Sequence, residues 1–193
     1  MKPDKTSDRI TRIALDILKK EGPPAVSMRR IARAVGITPM AIYHHFRNRD
    51  ALLNSITDRE FTKLLGHIQA HPLRGGTQAR LIAVMEGYVD YAFAAPRVFD
   101  YVFSRARPEA RQFPRDFRAR RSPTLNPVAD MVAAAMQRGD LKKDDVWEIA
   151  FALWAHVHGY VTLYRGGRIG LTEKEFRNLL RRSLRRFLHG LKS

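Results

Sequence analysis

Residues 27–46 read SMRRIARAVGITPMAIYHHF, and this stretch decides the fold of the N-terminal part of the chain. Residues 28–35 have the apolar spacing of a helix of about two turns. Ser27 precedes them as a candidate N-cap, because a serine side chain can accept a hydrogen bond from the first helical turn. Gly36 ends the helix, since glycine adopts a left-handed backbone at little cost.

A second short helix is predicted directly after this turn, over residues 38–45. Thr38 is its candidate N-cap, and Pro39 occupies the first helical position, where a missing N–H does no harm. Ile42 supplies an apolar contact that would hold the angle between the two helices. Two short helices joined by a glycine turn indicate a helix-turn-helix, a DNA-binding unit.

The second helix of such a unit lies in the major groove, and its N-terminal residues meet the base edges. Hydroxyl and imidazole groups can hydrogen-bond to bases or phosphates, and apolar side chains can contact a thymine methyl group. Surrounding cations bind phosphate, which sets position and affinity. The alternative is a helical hairpin in a core with a basic, solvated surface. The candidate DNA-binding residues are Ser27, Arg29, Arg30, Thr38, Pro39, Met40, Ala41, Tyr43, His44, Arg47 and Arg49.

Helical periodicity recurs on both sides of this motif, and no segment alternates long enough to predict a strand. Prolines divide residues 96–126 into short pieces. The pattern predicts an all-α protein, with further helices at residues 7–22, from 49 to before 72, and at 78–94, 127–138, 144–165 and 172–190.

Composition is consistent with a DNA-binding protein. The chain has 193 residues and a net charge of +16, with 35 Lys and Arg against 19 Asp and Glu. An excess of this size favours a polyanionic partner, either nucleic acid or an anionic membrane surface. The N-terminus is too polar for a signal peptide, and no run of about eighteen apolar residues predicts a membrane span. We therefore expect a cytoplasmic protein that binds double-stranded DNA and no membrane.

Residues 7–54 resemble the DNA-binding domain of the tetracycline-repressor (TetR) family. The resemblance rests on RITRIALDILKKEG, on the helix-turn-helix stretch and on RNRDALL. It implies about nine helices, with a DNA-binding domain at 1–54 and an effector-binding and dimerisation domain at 55–193. It also implies a homodimer on a palindromic operator, usually a repressor that a small molecule releases.

The resemblance also bears on individual residues. Within the family pattern Tyr43 and the position of Arg49 are the usual phosphate contacts. Arg49 stands where lysine is commoner, and Arg30 stands where an acidic residue is common. A second, shorter stretch, LWAHVHGYVTLYRGGRI at residues 153–169, resembles a subgroup with a Trp–His–Gly signature.

Aromatic side chains in the C-terminal part are candidates for an effector pocket. An apolar pocket with a few polar groups would suit a hydrophobic or aromatic small molecule. The alternative is that aromatic residues at helical spacing simply form core. The candidate ligand-binding residues are Tyr88, Tyr91, Phe99, Phe103, Phe151, Trp154 and His158.

The last two predicted helices each carry an apolar stripe that could pair with a second copy in a four-helix interface. The stripes could equally face the chain's own core, and the sequence does not separate the two. The family resemblance favours the dimer. The candidate interface residues are Leu153, Val157, Tyr160, Tyr164, Phe176, Leu180, Leu184 and Phe187.

The last helix also carries a row of arginines, which form a solvated surface or bind an anionic effector or membrane. No phosphate loop, nucleophile motif or metal-ligand motif appears, and the chain has no cysteine. The sequence therefore predicts neither an enzyme nor a cofactor or metal site. The alternative function is a non-specific nucleic-acid or membrane-surface binder that depends on charge alone.

Overall fold

The structure is a computed structural model that describes residues 6–104 and 110–192, and within these ranges it contains helices and no strand. The all-α prediction is confirmed. The helices are α1 (Thr6–Glu21), α2 (Met28–Val35), α3 (Pro39–Tyr43), α4 (Arg49–Ala70), α5 (Thr77–Ala94), α6 (Pro96–Ser104), α7 (Arg115–Arg118), α8 (Asn126–Gln137), α9 (Val146–Arg165) and α10 (Glu173–Gly190).

The described helices number ten rather than the nine or so expected. The difference lies in the proline-divided stretch 96–126, which holds α6 and the single turn α7 and lacks a long apolar period. Elsewhere the predicted helix bounds differ from the observed ones by only a few residues, as expected because the ends of helices fray.

The chain divides into two compact units. One contains residues 6–63 and 93–104, and the other contains residues 64–92 and 111–192. The boundary predicted after residue 54 falls inside α4, which contributes residues to both units.

The N-terminal unit has a core formed by α1, α2, α3 and the first part of α4. Ile10, Ile31, Ile42 and Leu52 are completely buried in it. Helix α6 belongs to the same core, because Val98 and other residues of α6 are buried in it. The helix-turn-helix therefore rests on α1 and α4, and a segment remote in sequence completes the unit.

In the C-terminal unit, α8 and α10 both pack against α9. Polar contacts also join α10 to α5. Arg177 Nη1 donates to Asp90 Oδ1 at 2.6 Å, and Arg181 pairs with Glu86. The Nε2 atom of His71, the residue after α4, lies 2.7 Å from the other carboxylate oxygen of Asp90.

Helices α4 and α5 approach closely at Gly87. A β-carbon at this position would lie 2.6 Å from Ile68 Cα and 2.7 Å from the carbonyl oxygen of His67. Both atoms belong to the backbone of α4, so they cannot move aside as a flexible side chain could. Only glycine fits this crossing.

We expect Gly87→Ala to lower the free energy of unfolding by about 1–3 kcal/mol or more, because the new methyl group overpacks a backbone contact. Gly66→Ala is the matched control, since Gly66 also lies inside a helix but a β-carbon there meets nothing within 4 Å. Alanine should stabilise α4 at this position by up to about 1 kcal/mol. Urea unfolding of both variants measures the difference, and equal effects would contradict the close crossing.

Candidate nucleic-acid interface

The turn between α2 and α3 has the geometry that the sequence predicts. Gly36 adopts the left-handed conformation with φ 78°. The N–H groups of Gly36 and Ile37 both donate to the carbonyl oxygen of Ala32 at 3.0 Å. Ala32 and Ile42 are fully buried where the two helices meet. Local chemistry therefore fixes the angle at which α3 leaves α2.

Helix α3 is capped as predicted and leaves large side chains in solvent. The Thr38 hydroxyl accepts a hydrogen bond from the Ala41 N–H at 3.1 Å, and Pro39 occupies the first turn. Met40 is 70% exposed and Tyr43 is 47% exposed, although both are large and apolar in part. A short, capped helix thus offers an apolar and a phenolic contact to a partner.

The Ser27 side chain makes no capping hydrogen bond to α2, so the predicted cap is corrected here. The backbone at Ser27 does have the extended conformation of an N-cap residue, and its carbonyl oxygen accepts from the Ile31 N–H at 2.9 Å. Ser27 is exposed, so its hydroxyl can still reach a partner.

Arg30, a candidate phosphate contact, already has an anionic partner. Its two terminal nitrogens donate to the two carboxylate oxygens of Glu21 at 2.5 and 2.8 Å. The hydrogen bonds lower the pKa of Glu21, which keeps the carboxylate charged. The pair joins the end of α1 to α2 and neutralises one of the cations that the sequence assigns to DNA.

Arg49, whose position is a usual phosphate contact in the family pattern, lies partly buried against the loop between α1 and α2. Its Nε donates to the carbonyl oxygen of Val26 at 2.8 Å, and its Nη2 donates to that of Pro23 at 2.5 Å. Arg9 of α1 similarly donates to the last carbonyl of α2, at Val35, over 3.0 Å. Arg49 thus holds the loop that precedes α2, and Arg9 satisfies a carbonyl at the C-terminal end of α2, so the two guanidinium groups position this helix.

Exposed cations do remain on the helix-turn-helix. Arg29 and Arg47 are exposed, and within the described part of the chain neither has a carboxylate partner. Arg33 is likewise exposed and without a carboxylate partner among the described residues, and the sequence analysis missed it. Its spacing of four residues from Arg29, which puts both on one side of α2, was the available signal.

The predicted pocket residues are divided between the two units. Phe99 and Phe103 lie in the N-terminal unit, with ring centroids 4.9 Å apart. Tyr91 is buried in the C-terminal unit beside the His67 ring, at 6.0 Å. The four others, Tyr88, Phe151, Trp154 and His158, come together in the C-terminal unit.

At the centre of this aromatic cluster the Tyr88 hydroxyl makes polar contacts, and Trp154 is one of its hydrogen-bond partners. The Tyr88 hydroxyl lies 2.8 Å from His158 Nδ1. Burial lowers the pKa of His158 and raises that of Tyr88, so both groups are neutral near pH 7. Trp154 packs between His158 and Phe151, with ring centroids 5.7 and 5.2 Å away.

Two further aromatic residues, which the sequence analysis missed, belong to this cluster. Phe113 lies 4.4 Å from Phe151, and Phe117 of α7 lies 5.6 Å from the same ring. Both come from the proline-divided stretch, which has no period from which a buried face could be predicted.

The predicted dimer residues lie mostly in the chain's own core, and this corrects their assignment to a partner surface. A side chain that its own chain covers has no surface left for a second copy. Tyr160, Tyr164 and Phe187 are half-buried, and Tyr164 packs on Phe176 at 4.3 Å. The fully covered residues, all at most 3% exposed, are Leu153, Val157, Phe176, Leu180 and Leu184.

Two further classes of site were sought in the described residues. None of the helices there is both long and apolar enough to span a bilayer. Over the same ranges, no three histidine or acidic side chains gather as a metal site would require.

Comparisons with known proteins agree with this geometry. Residues 10–56 match the family model described as "Bacterial regulatory proteins, tetR family", and residues 81–187 match "Tetracyclin repressor-like, C-terminal domain". Together the matches cover the helix-turn-helix and most of the C-terminal helices.

Curated relatives match in the N-terminal region. The chain is 31% identical over 72 residues to an uncharacterized HTH-type transcriptional regulator of Xanthobacter autotrophicus, a match that covers 37% of this chain and 36% of that protein. It is 37% identical over 49 residues to the class A tetracycline repressor of Escherichia coli, covering 25% and 23%. The chain thus spans about a quarter to a third of the length of these relatives.

Solved structures share the whole fold. A protein of unknown function from Rhodococcus sp. RHA1 superposes with a TM-score of 0.81 at 24% identity, over 100% of both chains. A regulatory protein in the tetR family from Rhodococcus RHA1 superposes with a TM-score of 0.66 at 20% identity, over 97% of both. At these identities the likeness extends to the fold alone.

We expect Arg49→Lys to lower the free energy of unfolding by about 1–2 kcal/mol, because a single ammonium group cannot replace the two hydrogen bonds of the guanidinium fork. Arg47→Lys is the matched control, because Arg47 is exposed and the substitution likewise leaves the net charge unchanged. Hydrogen exchange at the α2 amides should rise only in the first variant. Identical behaviour of the two variants would show that Arg49 does not hold α2.

Proposed function

The chain belongs to the TetR family of transcriptional regulators, and from that membership we propose a ligand-responsive repressor that binds a palindromic operator as a homodimer. The observation that carries the proposal is the capped α3, which leaves Met40 and Tyr43 exposed on a helix-turn-helix. DNA is the partner that such a helix fits, because its width matches the major groove. The cytoplasm, where DNA is present, is the proposed location.

Contacts with bases come from the N-terminal part of α3. Met40 and Ala41 are apolar, so they read a thymine methyl group better than a hydrogen-bonding base edge. The Thr38 hydroxyl already accepts the capping hydrogen bond, and its own proton stays available to a phosphate or base. Tyr43 and His44 offer further hydrogen bonds at the end of the helix.

Contacts with phosphates come from the exposed cations. Arg29, Arg33 and Arg47 supply charge without a competing carboxylate. Arg49 acts differently from what the family pattern implies, since two loop carbonyls accept its hydrogen bonds, and Arg30 is paired with Glu21. They hold α2 in place, and the exposed arginines bind the DNA backbone.

Dimerisation uses the outer face of α9, which we define as Ala152, Ala155, Gly159, Thr162 and Leu163. This face lies opposite the buried stripe of the same helix. Its small side chains allow a second helix to approach closely, and Leu163, 50% exposed, adds apolar area. Apart from the adjoining backbone of α9, no described residue lies within 4 Å of a β-carbon placed at Gly159, so packing within the described part of the chain does not require this glycine.

The charges at the ends of α9 are consistent with an antiparallel pair. Asp144 stands at its N-terminal end beside Asp145 and Glu148, which already pair with Arg118, and Arg165 and Arg168 stand at its C-terminal end. A two-fold axis near the middle of the helix would bring the acidic end of one copy beside the basic end of the other.

The effector is a small hydrophobic or aromatic molecule, and the cluster around Trp154 is its proposed site. Phe151 and Trp154 are half-buried, so an effector would contact the exposed part of each ring beside the aromatic rings that already pack on it. The neutral Tyr88–His158 pair offers one orienting hydrogen bond.

The Trp–His–Gly subgroup stays a prediction from the sequence. TetR proteins are regulators rather than enzymes, and we assign no reaction to this chain.

Selection of bound duplexes from a random-sequence pool at physiological salt tests the proposal directly. We expect a two-fold symmetric site with half-sites about one helical turn apart or a multiple of that. Its affinity should exceed that of scrambled duplex by roughly a thousandfold or more. Tight binding with no enriched sequence would instead favour the binder that depends on charge alone.

On the selected site, Tyr43→Ala should weaken binding to all duplexes alike, because Tyr43 contacts phosphate. Met40→Ala should change the preferred bases and cost about 1 kcal/mol or more of binding free energy. Replacing the contacted thymine with uracil, which lacks the methyl group, should weaken binding of the unsubstituted protein by a similar amount. Competition binding with operator and mutated duplexes separates the two effects. A pure change of preference in Tyr43→Ala would overturn its phosphate role.

Gly159→Arg should convert the dimer to a monomer in sedimentation velocity, with its helical content unchanged, because the new side chain points into space that the chain leaves empty. Gly66→Arg is the control, since Gly66 is also inside a helix with open space. A dimer that survives Gly159→Arg places the interface elsewhere.

A further inference from the structure

A cavity of the C-terminal unit lies between α5 and α8, and the proposed function does not use it. Its volume is about 200 Å³, and no residue of the aromatic cluster around Trp154 lines it. The residues that line it are Thr77, Arg80, Asp130, Met131, Ala134 and Arg138. The cavity is therefore separate from the proposed effector site of the same unit.

Three of the polar side chains that line the cavity already have partners. Asp130 accepts hydrogen bonds from both terminal nitrogens of Arg120 at 2.9 Å. Arg138 Nε donates to Asp140 Oδ2 at 3.0 Å, and its Nη2 donates to the Thr77 hydroxyl at 2.8 Å. The Thr77 hydroxyl in turn donates to Asp140 Oδ2 at 2.6 Å. These groups are thus satisfied by the protein itself.

Arg80, the fourth polar residue of the lining, differs from the others. Its side chain is half-buried, and its Nε atom is buried. Within the described part of the chain no group accepts a hydrogen bond from this Nε, and the guanidinium group forms no ion pair. A charged donor that loses water without gaining an acceptor costs free energy. A bound anion would remove this cost.

Arg80 has no acidic neighbour on its own helix. The residues three and four positions before and after it, which are adjacent to it in a helix, are glycine, threonine, alanine and valine. The carboxylates of α5 lie further along, at Glu86 and Asp90. Arg181 and Arg177, which are also half-buried, pair with these two carboxylates.

The lining of the cavity suits a ligand with one negative charge and an apolar part. Three cations and two anions make up its charged side chains and their partners, which are Arg80, Arg120, Arg138, Asp130 and Asp140. One positive charge is therefore in excess, and a monoanion balances it. Met131 and Ala134 are apolar and half-buried, so they can cover a short hydrocarbon group.

We propose that this cavity binds a small organic acid, whose carboxylate pairs with Arg80 and whose short apolar chain contacts Met131 and Ala134. The planar guanidinium group matches the two oxygens of a carboxylate. The small volume favours a ligand of a few carbon atoms over a large effector. The inference goes beyond the proposed repressor function and does not depend on it.

Isothermal titration calorimetry of the full chain with butyrate tests the proposal. We expect saturable binding of butyrate. Butyramide has the same shape without the charge, and it should bind more weakly by about tenfold or more. Arg80→Met should lower the butyrate affinity by a similar factor. Arg74→Met is the matched control, because it removes the same charge from an exposed residue outside the cavity and should leave the affinity unchanged.

Two further measurements separate a ligand contact from a structural role of Arg80. Ala134→Leu fills the cavity and keeps Arg80, so butyrate binding should be lost while the helical content stays the same. Arg80→Met should leave the midpoint of urea unfolding unchanged or raise it, because it removes a charge that the described residues do not compensate. A lower midpoint would show that Arg80 makes a stabilising contact within the protein, and it would overturn the proposal.

Equal butyrate affinities of Arg80→Met and Arg74→Met would also overturn the proposal, as would the absence of saturable binding to the unsubstituted protein. Inorganic phosphate that binds as tightly as butyrate would overturn the assignment to an organic acid. Butyrate binding that Trp154→Ala abolishes and Arg80→Met does not would place the ligand in the aromatic cluster instead. Failure to select any operator would count against the proposed function alone, since butyrate binding is measured without DNA.

Discussion

The left-handed turn at Gly36 is the constraint on which the DNA-facing geometry depends. A β-carbon there would meet no neighbour within 4 Å, so the requirement is one of backbone conformation and not of space. Through this turn the N–H groups of Gly36 and Ile37 reach the same carbonyl oxygen of Ala32. The exposure of Met40 and Tyr43 follows, because their short helix has only one way to leave α2.

The arginines of the N-terminal unit have three different roles, and the net charge of the sequence does not distinguish these roles. Arg49 donates to loop carbonyls, Arg30 is neutralised by Glu21, and Arg33 stays exposed without a carboxylate. A guanidinium group has five donors in a fixed plane, so it serves equally as a structural contact or a phosphate contact. Which role it takes depends on residues more than ten positions away or on a different helix.

Local signals allowed the sequence to predict the helix-turn-helix, because Thr38, Pro39 and Gly36 each act within a few residues of themselves. Long-range features could not be predicted. Helical period predicts that the apolar stripes of α9 and α10, which contain Leu153 and Leu184, are covered. It does not show whether the chain itself or a second copy covers them. The same limit applies to α6, whose period gives no hint that it completes the N-terminal core.

Burial of the apolar stripes of α9 and α10 inside the chain determines what their outer faces can do. His156, Ser183 and Tyr160 form a hydrogen-bonded chain at the seam of the two helices, with distances of 3.0 and 2.9 Å, which fixes their register. The outer face of α9 is small and nearly uncharged, so it suits close packing against its own copy.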